Sequence, residues 1–252
     1  LKKARVDVLL VERGLVESRQ RAQALLMAGR VFSGEQRVDK AGAQLALDAP
    51  LTVRGDDNPY VSRGGLKLAG ALAAFAPLGL EPRGAVAVDV GASTGGFTDC
   101  LLQGGAERVY AVDVGRGQLH GKLRGDPRVV VREGTNAKTL QASDFPEPID
   151  LIVVDASFIG LGSLAAALAA TLRPGGALCA MVKPQFEAGR EEVRRGRGVI
   201  RDPVVRQEAI ERATAALVAR GFVVLGACDA PLAGPRGNLE HFVYALGPQA
   251  PG

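Results

Sequence analysis

Residues 85–114 read AVAVDVGASTGGFTDCLLQGGAERVYAVDV. Two aliphatic runs, AVAVDVG at 85–91 and RVYAVDV at 108–114, have the length and valine content of buried strands. The segment DVGASTGGFTD at 89–99 sets glycines at the first strand's exit, where backbone can approach a ligand, and Thr98 and Asp99 open a helix. Strand, loop, helix, strand is the repeating unit of a parallel sheet. The loop has neither the lysine of GxxxxGK[ST] nor the spacing of GxGxxG, which weakens a phosphate-binding reading.

The alternation continues downstream. RVVVREG (128–134), DLIVVDAS (150–157), ALCAMVK (177–183) and FVVLGAC (222–228) are further aliphatic runs. LGSLAAALAATL (161–172) reads as a core-facing helix, and another helix has Asp202 as N-cap, Pro203 at its first position and Gly221 as its stop. A last run, LEHFVYAL (239–246), follows the turn-rich APLAGPRGN, and so short a connection favours an antiparallel hairpin. The pattern is doubly wound α/β, with ligands expected at the C-terminal ends of the strands. Asp113 ends the second run, where a carboxylate typically holds the ribose hydroxyls of an adenosine-containing cofactor. Loop and carboxylate together favour S-adenosylmethionine over NAD. Glu133 and Asn136, after the third run, fall where an adenine would be contacted.

Polar groups converge on the same edge. Asp155 and Lys183 each follow an aliphatic run, and Glu240 begins the antiparallel strand, so all three meet where the parallel strands end. Lys67 lies in SRGGLKLAGAL (62–72), a single ammonium in an apolar helix start. His120 and His241 have no nucleophile partner or ligand spacing, and the scattered Cys100, Cys179 and Cys228 suggest neither a disulfide framework nor a zinc site, so no metal is expected.

The net charge is +4, and the first 55 residues carry all of that excess: ten Lys/Arg against six Asp/Glu. An anionic partner is expected there, with nucleic acid leading. RVDVLLVERG (5–14) has helical spacing at Val6, Leu9 and Leu10; a second helix should begin at Ser18, face Ala22, Leu25 and Leu26 inward and end at Gly29; short strands follow through residues 51–53. Arg19 and Arg21 sit in that helix's first turn, where the dipole disfavours cations but a phosphate backbone would be welcome. GREEVRRGRGVIRD (189–202) reads as a mobile loop able to clamp RNA phosphate. The candidate RNA-binding residues are Arg5, Arg19, Arg21, Arg30, Arg194, Arg195 and Arg197.

RVDVLLVERGLVESRQRAQALLMAGRVFSG resembles the S4 RNA-binding fold. SRGGLKL, DVGASTGGFTD, VVDASF, MVKPQFE and NLEHF occur in the order seen in the TlyA, or haemolysin-like, family, which the chain resembles over essentially its whole length. The resemblance implies a small α+β S4 domain (1–55), a linker (56–61) and an FtsJ-like methyltransferase domain (62–247) with the class I, Rossmann-like sheet of seven mostly parallel strands. It further implies S-adenosylmethionine-dependent 2′-O-methylation of cytidine in ribosomal RNA of the small or large subunit, with a Lys-Asp-Lys-Glu tetrad carried by Lys67, Asp155, Lys183 and Glu240. On that reading Lys183 is the base, Lys67 a depressing or orienting cation, and the two carboxylates position the amines; opposing influences leave the net shift of Lys183 unsigned. Cofactor contacts fall to Asp89, Gly91, Ser93, Gly95, Gly96, Phe97, Asp113, Glu133, Asn136 and Asp155. Two places depart from the family's habit: Glu133-Gly134-Thr135-Asn136, where relatives have Glu-Arg-Thr-Asn, and Phe32-Ser33-Gly34, where they have Val-Asn-Gly.

The competing readings are a membrane-active haemolysin, an RNA-binding protein with a non-catalytic cofactor fold, and an S4 pseudouridine synthase, whose catalytic-aspartate motif is not visible. No apolar run reaches the length of a bilayer span and the start has no signal-peptide core, so a cytoplasmic protein without membrane contact is expected.

Overall fold

The computed structural model describes residues 3–16, 18–54, 58–234 and 237–249. Lys2 and Glu17 of the charge count, residues 55–57 around the expected linker's start, and residues 235–236 of the APLAGPRGN turn lie outside the described residues. The chain divides into two compact units, residues 1–62 and 63–252.

The first unit is built from β1 (Lys3–Arg5), α1 (Val6–Glu12), α2 (Arg19–Met27), β2 (Val31–Ser33), β3 (Gln36–Arg37), β4 (Gln44–Ala46) and β5 (Leu51–Val53). Ser18 caps α2, its Oγ accepting from the Arg21 N–H at 3.1 Å. Gly29, at φ +67°, turns the chain out of the helix into β2. Val6, Leu9, Leu10, Ala22, Leu25, Leu26 and Val31 form the core. β2 pairs antiparallel with β3 and β5, and β1 with β4. β1 has no apolar alternation; only its pairing with β4 makes it a strand.

In the second unit α3 (Arg63–Phe75) is followed by β6 (Val86–Val90), α4 (Gly96–Gln103), β7 (Arg108–Asp113), α5 (Gly121–Arg124), β8 (Val129–Glu133), β9 (Ile149–Val154), α6 (Ala165–Thr171), β10 (Leu172–Val182), α7 (Pro184–Glu187), α8 (Arg190–Arg195), α9 (Pro203–Val218), β11 (Val223–Asp229) and β12 (His241–Leu246). The sheet order is β11-β12-β10-β9-β6-β7-β8. Only β12 runs against its neighbours. This is the class I methyltransferase sheet, and its order reverses between β6 and β9, the point where a ligand crevice opens.

Alternation along the strands packs both faces. Val88, Val90, Ile152, Val154, Leu178, Ala180 and Val243 join Leu168, Ile210, Ala213 and Leu217 of α6 and α9. On the opposite face Phe75 of α3 packs against Tyr244 and Phe97 of α4 against Phe242, with ring centroids 5.6 and 6.1 Å apart. Asp202 caps α9 through the Val204 N–H at 2.8 Å.

Two local expectations are corrected. β10 begins at Leu172, before the expected Ala177, because Leu172 pairs with Ile149 and a register shift absorbs Pro174, Gly175 and Gly176. The stretch 189–202 is not all loop: α8 forms within it, and its acidic first turn and arginine-rich last turn complement the helix dipole.

Candidate active site

A cavity of about 740 Å³ lies at the C-terminal edge of the parallel strands. Lys67, Asp155, Lys183 and Glu240 all line it. Asp155 is the first residue beyond β9, its N–H bonded to the Val90 carbonyl at 2.9 Å. Lys183 follows β10, and Glu240 precedes β12, whose His241 lies opposite Val182. Lys67 enters from the buried face of α3. The four form two pairs. Lys67 Nζ donates to Glu240 Oε2 at 2.5 Å, with the residues only 8% and 2% exposed. Lys183 Nζ stands 2.6 Å from Asp155 Oδ1 as an ion pair, while its directed hydrogen bonds go to Ser157 Oγ (2.9 Å) and the Asp155 carbonyl (3.2 Å). Oδ1 itself has no hydrogen bond of good geometry among the described residues.

The other half of the cavity is walled by the exits of β6 and β7. Gly91, at φ +85°, passes so close to the β9 exit that a Cβ there would stand 2.9 Å from the Asp155 carbonyl oxygen and 3.0 Å from Ala156 Cα. Asp113 closes β7 and accepts from the Ser93 N–H (2.8 Å) and the Gly115 N–H (2.7 Å), holding the two bordering loops together. Gly91, Ser93, Asp113, Asn136 and Asp155 line the cavity, with exposed Val114 and with Ala137 supplying apolar wall.

Five sequence candidates lie elsewhere. Asp89 faces α4 from the middle of the sheet, fully buried, its Oδ2 accepting from Thr98 Oγ at 2.7 Å. Its Oδ1 has no partner among the described residues, and burial pushes the carboxyl up to about 7. Gly95 does not line the cavity; a Cβ there would lie 2.3 Å from Leu123 Cδ1, so the absence of a side chain lets α4 and α5 pack closely. Gly96 is buried at the helix start, and Phe97 faces Phe242. Glu133 turns to the neighbouring loop, accepting from the N–H groups of Gly117, Gln118 and Leu119 at 2.8–3.2 Å and pairing with Arg124. The Arg124 guanidinium and those N–H groups hold its carboxyl down at about 2.

The arginines fall in two places. In the first unit Arg5 and Arg19 both bind the buried Asp7, at 3.0 Å each, and Gln23 adds a contact at 3.2 Å. Arg5 first, then Arg19 and Gln23, hold the Asp7 carboxyl well below the usual carboxylate range. Arg19 at the start of α2 thus has a structural partner. Arg21 is half-buried and Arg30 exposed. In the second unit Arg194, Arg195 and Arg197 are exposed on and just after α8, and Val193 and Gly198 of the same segment line the cavity.

Among the lining residues that sequence reasoning did not single out, four bear on the chemistry. Ser157 accepts from Lys183. Phe158 is 91% exposed, holds a left-handed backbone at φ +66°, and has its ring centroid 5.5 Å from that of Phe186. Gln185 Oε1 is buried at the wall with no hydrogen-bond partner among the described residues. Asn238 is 2% exposed, and its side chain makes two hydrogen bonds to the Gly198–Ile200 segment. All four sit inside the stretches VVDASF, MVKPQFE and NLEHF that carry the family resemblance, and Phe158 is in addition an apolar residue placed beyond the end of a strand run.

Sheet order, a cavity at the reversal point and Asp113 at its wall define a class I methyltransferase, a class whose cofactor is S-adenosylmethionine. The FtsJ-like methyltransferase family matches residues 60–247 and the S4 domain family residues 4–48. Bacillus subtilis YqxC is 47% identical over 96% of this chain and 85% of its own. The 16S/23S rRNA (cytidine-2′-O)-methyltransferase TlyA of Mycobacterium tuberculosis is 43% identical over 96% of this chain and 90% of its own. A solved structure from Streptococcus thermophilus, described as a hemolysin, superimposes with a TM-score of 0.79 at 43% identity, covering 98% of this chain and 90% of that one. The chain belongs to the TlyA family of FtsJ-like methyltransferases that carry an S4 domain.

The cavity fits S-adenosylmethionine: Gly91 and Ser93 line it at the β6 exit, Asp113 offers a carboxylate at its wall, and Val114 and Ala137 offer apolar surface.

Proposed function

We propose that the protein 2′-O-methylates cytidine ribose in ribosomal RNA, with residues 1–55 engaging RNA, 56–61 as linker and 62–247 performing the chemistry. The observation that carries this reading is the paired cluster: two amines and two carboxylates from α3 and the edges of β9, β10 and β12, sharing a cavity with a cofactor cradle.

Bound S-adenosylmethionine supplies an activated methyl group on a sulfonium. The chain's own task is to orient the ribose hydroxyl and take its proton. Lys183 accepts that proton at Nζ. The ammonium so formed is held by the Asp155 carboxylate, the Asp155 carbonyl and Ser157 Oγ. Lys67, anchored by Glu240, presents a fixed positive charge to the oxygen that loses the proton. Gly91, Ser93, Asp113 and Asn136 would hold the cofactor. Phe158 and Phe186 offer a sequence-tolerant stacking platform for a base, worth on the order of 1–3 kcal/mol. Gln185 Oε1 offers an acceptor to a ligand N–H or O–H.

The test is transfer of labelled methyl groups from S-adenosylmethionine into RNA of isolated ribosomal subunits. Lys183→Ala should lower kcat by roughly 10²–10⁴, the span of general-base catalysis, with cofactor affinity intact. Retained transfer removes Lys183 as the base. Liposome lysis without RNA methylation would favour the haemolysin reading instead; no helix among the described residues is long and apolar enough to cross a membrane.

A further inference from the structure

Asn238 is buried among polar neighbours yet is neither charged nor part of the tetrad. Its side chain forms both hydrogen bonds of a miniature strand pairing. Oδ1 accepts from the Ile200 N–H at 2.9 Å, and Nδ2 donates to the Gly198 carbonyl at 2.9 Å. Its backbone carbonyl accepts from the Gly234 N–H at 2.9 Å. Glu240 stands two residues on, its Oε1 2.5 Å from where a Gly234 Cβ would project, so the glycine leaves room for the carboxylate that anchors Lys67.

The segment that Asn238 holds is tightly wound. Arg197 adopts a left-handed backbone at φ +51°, Gly198 follows at φ +85°, and a Cβ on Gly196 would stand 2.0 Å from the Val199 carbonyl oxygen. Arg194, Arg195 and Arg197 project from it into solvent while Val193, Gly198 and Asn238 face the cavity. Without the amide, the buried Ile200 N–H and the Gly198 carbonyl would each lose a partner, and a segment in so uncommon a conformation would have little to keep it in place.

We propose that Asn238 is a positioning residue for RNA: one amide fixes the arginine-bearing rim and the Glu240 turn in a single frame, so that phosphates gripped by the arginines place the ribose over Lys183. The proposal rests on the reading of the cavity as an RNA methyltransferase site, and it adds the means by which RNA contact at the rim is tied to the geometry of the tetrad.

Three measurements on the full chain test it: trypsin cleavage after residues 194–197, affinity for ribosomal-subunit RNA without cofactor, and methyl-transfer kinetics. Asn238→Ser should speed cleavage about tenfold, weaken RNA binding and raise the RNA KM about tenfold, and lower kcat less, with cofactor affinity unchanged. Asn238→Asp, which keeps the acceptor for Ile200 and loses the donor to Gly198, should fall between. Arg194→Ala, Arg195→Ala and Arg197→Ala combined should weaken RNA binding in the parent protein but add little in the Asn238→Ser background, because both act through one segment. Unchanged cleavage overturns the tether, and fully additive losses of RNA affinity overturn its role in recognition. If the parent protein binds RNA but transfers no methyl group, the functional reading fails, while cleavage and the binding cycle still decide the role of Asn238.

Discussion

Asp89 illustrates how a single buried group can be spelled in the sequence and yet be placed only by the structure. It belongs to the loop sequence that suggests a ligand site, but strand alternation turns it toward α4, onto Thr98 and away from the cavity. Burial, with Asp155 and Asp113 adding to it against the Thr98 hydrogen bond, raises its carboxyl to about 7 from an ordinary value near 4. The folded chain therefore keeps a proton between about pH 4 and 7 that the unfolded chain releases. Stability must fall as pH rises through that window, by on the order of 1.4 kcal/mol per unit at most, and the loss is complete above it. Asp89→Asn, of the same shape and never charged, should flatten the decline in Tm between pH 5 and 8 seen by calorimetry. An equal slope in both proteins would exclude Asp89 as its source. The tetrad positions were easier to read, because each follows or precedes an aliphatic run whose direction fixes its edge. Ser157, Gln185 and Asn238 lie in stretches that carry the family resemblance but were not legible from periodicity: a polar residue in a loop carries no periodic signal, and its partners are 26 to 40 residues distant or, for Gln185 Oε1, absent among the described residues.

At the scale of elements, each of the seven strands of the second unit coincides with an aliphatic run; the inner strands, covered on both faces, leave a continuous apolar record, and edge strand β11 carries such a run even though its residues alternate between exposed and half-buried. β1 escaped because three residues with one apolar side chain leave none. The early start of β10 escaped because Arg173-Pro174-Gly175-Gly176 reads as a turn, and only pairing with β9 draws it into the sheet. The glycines of the β6–α4 loop were legible as a group but not one by one. Gly95, at φ +99°, meets Leu119 and Leu123, whereas Gly117, at φ +71°, has nothing within 4 Å of its would-be Cβ. Gly95→Ala should therefore cost stability on two counts, conformation and overpacking, together about 2–4 kcal/mol, against about 1 kcal/mol for Gly117→Ala. Urea unfolding of the two variants decides the point, and equal losses would show that backbone conformation alone accounts for Gly95.

Across the whole molecule, charge and chemistry are distributed unequally. The net charge of +4 lies in the first 55 residues, whereas the paired lysines and carboxylates belong to the unit that begins at residue 63. In the first unit Asp7 holds Arg5 and Arg19 in place and leaves each guanidinium with further N–H donors, while Arg30 stands exposed. RNA affinity and methyl transfer should then respond to different substitutions. Arg30→Ala should weaken RNA binding and reduce the magnitude of the slope of log K against log salt by about 0.7–0.9, the contribution of one phosphate contact, while kcat at saturating RNA stays near the parent value. Lys183→Ala should do the reverse, lowering kcat by roughly 10²–10⁴ with the salt slope unchanged. Binding isotherms at four or five salt concentrations, run beside single-turnover methyl transfer, separate the two responses. If Arg30→Ala leaves the slope untouched, the excess charge of the first unit is not an RNA-contacting surface at that position, and its placement has to be explained by some other anionic partner.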